Sequence, residues 1–181
     1  MTSIVSELGD IVNGCLNNNR LSQRQLYDRY ASRMFVLCRR YADNDAEAED
    51  MLMEGFMSVF KNLETFKGES AFETWIHSVM VKTAVSHYRS VRRFRNELLV
   101  EELDEGQFVE DEAFSTSMDA RVIIDALQRM PETPRVVFNL KAVEDHSFTE
   151  IGKMLGKKES AVRVAFMRAR EWLRKELGEM G

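Results

Sequence analysis

The stretch Ser147–Leu177, SFTEIGKMLGKKESAVRVAFMRAREWLRKEL, constrains this chain more than any other. It predicts two helices joined by a tight turn. Ser147 can cap the first, and Glu150, three residues on, completes a capping box. Phe148, Ile151 and Leu155 fall on one face at helical spacing. Gly156 suits the left-handed residue that ends such a helix. The second helix is expected from about Glu159, with Val162, Phe166, Ala169 and Leu173 as its apolar stripe. At about 100° per residue, Ser160, Arg163, Val164, Met167, Arg170 and Arg174 point away from that stripe. Arg168 lies on the flank, and Lys157 and Lys158 precede the helix. From Lys153 to Lys175 there are eight Lys or Arg residues, opposed only by Glu159 and Glu171. A short helix, a glycine turn and a longer helix with a basic outer face make the helix-turn-helix pattern. That pattern lays its second helix in the DNA major groove. The plainer reading is a helical hairpin with a solvated charged face; the box, the glycine and the cations together favour DNA.

Composition extends the helical reading to the whole chain. Among 181 residues there are two prolines and nine glycines, and 44% are hydrophobic, enough for a real core. The expected fold class is all-α. No apolar run approaches the length that spans a bilayer, and the N-terminus lacks a signal-peptide pattern, so a cytoplasmic protein without membrane insertion is expected. Cys15 and Cys38 form no CxxC pair and have no histidine at metal spacing, so two reduced thiols are expected, with no metal and no cofactor. The net charge of −5 argues weakly against nucleic acid, but its distribution reverses the argument. Nine acidic residues and no Lys or Arg lie between Asn96 and Asp119. Without them the remainder is net positive, by about +4.

Residues 3–16 carry a short amphipathic pattern that Asn17, Asn18 and Asn19 interrupt. A second helix is expected from Ser22 to Tyr41. A third runs from an Asn44 cap to about Leu63, with Leu52, Phe56 and Val59 inward. Its other face carries Glu49, Asp50, Glu54 and Lys61. Ser70 is the expected cap of a fourth helix, with Glu73 at the box position. That helix opens with Phe72, Trp75 and Ile76 and ends in Arg89, Arg92, Arg93 and Arg95. Some of these arginines answer the helix dipole, but four within seven residues exceed that need. With the aromatics before them, they suit a single strand. Residues 96–118 form an acidic linker too charged to pack well. Beyond it, Pro131 stops one helix, and Thr133, followed by Pro134, is the expected cap of the next. The expected organisation is a helical domain over 1–95, the linker over 96–118 and a helical domain over 119–178 containing the helix-turn-helix 147–177.

Both domains together resemble the extracytoplasmic-function group of the sigma-70 family. LYDRYASRMF (Leu26 to Phe35), AEDMLMEGFMSVFKNLETFKGESAFETWI (Ala48 to Ile76) and HYRSVRR (His87 to Arg93) resemble region 2, with core motifs over 22–93. MPETPRVVFNL (Met130 to Leu140), FTEIGKMLGKKESAV (Phe148 to Val162) and RAREWLRKEL (Arg168 to Leu177) resemble region 4. The resemblance implies a transcription initiation factor, not an enzyme. Its partners would be core RNA polymerase, through the clamp of the largest subunit, and promoter DNA, with room for an anti-sigma factor. Region 4 would read the −35 element as duplex, using Lys157, Lys158, Ser160, Arg163, Val164, Met167, Arg168 and Arg170. Region 2 would capture the melting −10 element through Phe66, Trp75, Lys82, Ser86, Arg89, Arg92 and Arg93. Asp50, Glu54, Ser58 and Lys61 would form the polymerase-docking surface. The family usually carries Asn where Lys82 stands, and commonly Arg where Ala165 stands. The alternative is a helix-turn-helix regulator that binds an operator without being a polymerase subunit. A P-loop, a nucleophile elbow and a metal cluster are all missing from the sequence, which disfavours an enzyme.

Overall fold

The computed structural model describes residues 2–94 and 120–178. The acidic linker expected at 96–118 lies outside these residues. Every regular element described is helical. The chain divides into two compact units, Met1–Cys38 with Asp45–Ser86, and Arg39–Asn44 with His87–Gly181.

The first unit is built on α1 (Thr2–Leu16), α2 (Arg20–Tyr41) as far as Cys38, α3 (Asp45–Asn62), a single 3₁₀ turn at Leu63–Thr65 and α4 (Phe72–Phe94) as far as Ser86; the last residues of α2 and α4 belong to the second unit. Asn18 takes a left-handed backbone, and the Asn19 side chain accepts from the N–H groups of Leu21 and Ser22 at 2.9 and 3.1 Å. The asparagine run thus ends one helix and caps the next. Leu26 and Leu37 of α2, Val59 of α3 and Ile76 and Met80 of α4 are fully buried. Each such side chain contributes about 1.5–3 kcal/mol on removal from water. A Cβ on Gly55 would lie 2.2 Å from Met80 Sδ, so a glycine at this point lets α3 and α4 approach closely. The expected cap at Ser70 is not the one the chain uses. The carbonyl of Ala71 accepts the first turn's N–H groups, from Thr74 and Trp75, and α4 starts at Phe72. The Glu73 carboxylate pairs with Arg33 instead of reaching back to Ser70.

In the second unit, α5 (Ala120–Arg129) stops before Pro131, and α6 (Glu132–Phe138) passes into a π-helical turn at Asn139–Val143. Two further helices follow, α7 (Phe148–Leu155) and α8 (Glu159–Gly178). Ala126, Leu127, Met130, Phe138, Ala169, Leu173 and Leu177 form one apolar core, with Val122 and Ile123 at its margin. Thr133 does not cap α6, because Pro131 stands in that position. The Thr133 side chain is buried and its hydroxyl is taken by Tyr88 Oη at 3.0 Å and by Arg92. Arg135 is 1% exposed. Its Nη1 donates to the carbonyls of Leu127, Gln128 and Met130 at the end of α5, and its Nη2 to Asp43. A cation at those carbonyls both satisfies them and complements the helix dipole.

Candidate nucleic-acid interface

The hairpin of α7 and α8 is held by local chemistry at both ends of α7. Ser147 Oγ accepts from the Glu150 N–H at 3.2 Å, and Glu150 Oε2 accepts from the Ser147 N–H at 2.8 Å. The Ser147 hydroxyl also donates to Oε2, at 2.7 Å; it first, and then the Ser147 N–H, draws the Glu150 carboxyl below the usual carboxylate range. At the other end Gly156 has φ 66° and ψ 34°, the left-handed conformation a Cβ disfavours. The Lys157 N–H then donates to the Gly152 carbonyl at 2.9 Å. Gly152 is buried against this turn, and a Cβ there would stand 2.8 Å from the Lys157 carbonyl oxygen. Backbone cannot swing aside as a side-chain tip can. Gly152→Ala is therefore expected to destabilise the hairpin by about 1–3 kcal/mol through overpacking, more than the ~1 kcal/mol that alanine gains in helix propensity. A urea melt should show the net loss.

The outer face of α8 differs from its sequence expectation at one position. Val164 is 7% exposed, so it is not on the outward face with Arg163. α8 packs against α5, α6 and α7, and its buried arc is wider than the single stripe the periodicity suggests. Val164 is removed from the set of candidate base readers. Lys158 and Arg168 are exposed, whereas Lys157, Ser160, Met167 and Arg170 are half-buried. The Arg163 side chain retains 42% exposure while engaged on one edge. Its Nε and Nη2 both donate to Glu159 Oε1, at 3.0 and 2.7 Å, and its guanidinium carbon sits 4.5 Å from the centre of the Phe148 ring. The Glu159 carboxyl is held below its usual range first by the Thr149 hydroxyl and then by Arg163.

In the first unit α3 and α4 enclose an open cleft of about 800 Å³. Glu54, Met57, Ser58 and Lys61 line it from α3, and Trp75, Lys82 and Ser86 from α4. Residues that the resemblance divides between a protein partner and a strand therefore share one groove. Asp50 is exposed on α3 but does not line the cleft. Trp75 is half-buried, with its ring centre 5.6 Å from that of Phe66 and 5.5 Å from that of Phe72. Phe66 in turn stands edge-on to Phe72 at 5.1 Å. Arg89, Arg92 and Arg93 fall in the second unit. Arg89 and Arg93 are exposed, while Arg92 bonds to Thr133 and Tyr88 and lies over the Tyr88 ring.

Comparison with known proteins assigns both units. Residues 26–94 match the family model for sigma-70 region 2, and residues 120–173 match the model for sigma-70 region 4. The chain is 28% identical over 163 residues to the ECF RNA polymerase sigma-E factor of Haemophilus influenzae, covering 84% of this chain and 85% of that one. It is 26% identical over 166 residues to the ECF sigma factor SigW of Bacillus subtilis, covering 86% and 88%. The chain belongs to the extracytoplasmic-function group of the sigma-70 family. It is 30% identical over 158 residues to SigE of Mycolicibacterium smegmatis, covering 86% of this sigma factor and 61% of that one. Its fold is similar to that of the sigma factor RpoE from Bartonella quintana, solved with the anti-sigma factor NepR, at a TM-score of 0.50 and 18% identity over 86% of this chain and 96% of that chain. No described helix of this sigma factor is long and apolar enough to cross a membrane.

Several residues escaped the sequence reading. Met53 and Met57 are 56% and 70% exposed on α3, one turn apart and beside Asp50, Glu54 and Lys61. The signal was present, since both fall outside the inward stripe of Leu52, Phe56 and Val59. Phe148 reads from its spacing as a core residue and Thr149 carries no signal of its own, yet both touch the Arg163–Glu159 pair.

Proposed function

We propose that this sigma factor docks on core RNA polymerase through the exposed face of α3, Asp50, Met53, Glu54, Met57 and Lys61. Carried by the polymerase in the cytoplasm, it reads the −35 element as duplex with α8 and captures the −10 strand at the cleft between α3 and α4. The observation that carries the reading is the pairing, in one chain, of two different surfaces. One is a helix-turn-helix with Lys158, Arg163 and Arg168 on its outer side. The other is a groove that sets Trp75 among Lys61, Lys82 and Ser86. A duplex reader needs a rigid helix with cations and a reading edge. A strand binder needs an aromatic platform with cations beside it.

The α3 face suits a protein partner because exposed methionines adapt to a surface, while Asp50 and Glu54 supply charges that steer and orient. Reversing both charges, Asp50→Lys with Glu54→Lys, is expected to weaken binding to core polymerase by about tenfold or more. Both side chains are exposed, so circular dichroism and the thermal melt should not change. A pull-down in which the double variant binds core as the wild type does would remove this face from the account.

A further inference from the structure

The contacts around Arg163 carry a second conclusion, which rests on the reading of α8 as the −35 helix. A guanidinium holds five N–H groups in a planar fork. In Arg163 the edge formed by Nε and Nη2 is committed to Glu159 Oε1. The other oxygen of that carboxylate, Oε2, accepts from the Thr149 hydroxyl at 2.6 Å. The acid is thus fixed by α7 on one side while it grips the arginine of α8 on the other. The Arg163 guanidinium carbon sits over the Phe148 ring, which is itself held edge-on to Phe166 at 5.5 Å. A cation over an aromatic face is attracted there. What remains is the Nη1–Nη2 edge, and two parallel N–H groups are what pair with guanine O6 and N7.

We propose that Thr149, Glu159 and Phe148 form a clamp that pre-sets Arg163 as a guanine reader. Thr149 and Phe148 are then positioning residues for −35 specificity, although they stand on α7 and not on the recognition helix. A free arginine loses many rotamers when it pairs with a base; a clamped one has lost them in advance. The correct base gains from this, because only it meets the presented edge. A rival base gains nothing, because the clamp holds the side chain from turning to suit it.

The test uses the full chain with core polymerase and a promoter pool randomised across the −35 and −10 spans. Selected sequences are read for wild type, Arg163→Ala, Thr149→Val, Thr149→Ser and the double variant of Arg163→Ala with Thr149→Val. The clamp predicts that wild type prefers guanine at one −35 position and that Arg163→Ala loses this preference. Thr149→Val should keep guanine first with its margin reduced by about two- to tenfold, the factor that ordering one long side chain carries. Thr149→Ser should restore the margin, and adding Thr149→Val to Arg163→Ala should change nothing further. Full preference in Thr149→Val, or a uniform weakening of all sequences, would overturn the clamp while leaving Arg163 as a reader. If Arg163→Ala selects the same sequences as wild type, the reading of Arg163 itself fails.

Discussion

Arg135→Ala is expected to lower the stability of the second unit by about 3–5 kcal/mol, from buried acceptors left without a donor and the cavity that the side chain leaves. The loss has little to do with the ion pair to Asp43, whose side chain is 46% exposed and returns to water when the arginine goes. The larger part comes from the carbonyls of Leu127, Gln128 and Met130, which lose their donor at the end of α5. Each buried acceptor left without a partner costs about 1–3 kcal/mol. The side chain is also 1% exposed, so its truncation leaves a cavity. Asp43→Ala leaves the carbonyl bonds in place but strips a buried cation of its acid, so it should cost about 1.5–3 kcal/mol, less than Arg135→Ala. Urea melts of the two variants separate the contributions. Equal losses from both would mean that the ion pair, not the capping of α5, sets the role of Arg135.

The second large effect is at Trp75. Truncating a fully buried aromatic costs about 3–5 kcal/mol. Trp75 is half-buried, packed on Phe66 and Phe72 but open to the cleft, so Trp75→Ala should cost about 2–3 kcal/mol. Stacking of a strand base is worth roughly 1–3 kcal/mol more. The variant should thus be deficient in promoter opening even at temperatures where its melt shows it folded. Trp75→Phe keeps a ring against Phe66 and Phe72 and should restore most of the stability. Permanganate reactivity of promoter thymines, measured beside the thermal melt, checks both halves. Normal opening by a folded Trp75→Ala protein would show that Trp75 is a packing residue only.

What could be read from the sequence was the local chemistry. The Ser147–Glu150 box, the left-handed Gly156 and the stop before Pro131 each depend on neighbours within a few residues, and each stands where the residue types place it. The expectations that failed depend on partners far along the chain. Glu73 has the spacing of a capping box, but Arg33 takes its carboxylate from forty residues away. Thr133 has the identity of a cap, but its hydroxyl is wanted by Tyr88 and Arg92. Val164 lies opposite the stripe on a helical wheel, and is buried because α8 is packed on several sides. Arg135 looks like a surface cation in any linear reading, and only the fold turns it onto the last carbonyls of α5. The candidate site divides in the same way. The cations of α8 were legible as a pattern, but the link from Thr149 through Glu159 to Arg163 joins two helices and has no linear signature. Nor has the groove that brings Lys61 and Lys82 together.

This sigma factor selects promoters as a polymerase subunit and not as a free operator-binding protein. Run-off transcription on genomic fragments, with core RNA polymerase present or absent and start sites mapped, tests it most directly. Core polymerase with the chain should initiate at discrete sites that share two conserved blocks at fixed spacing upstream of the start. Core alone should not initiate there, and the chain alone should not protect those blocks. Protection of a single duplex site by the free chain, with no initiation gained by the polymerase, would contradict it.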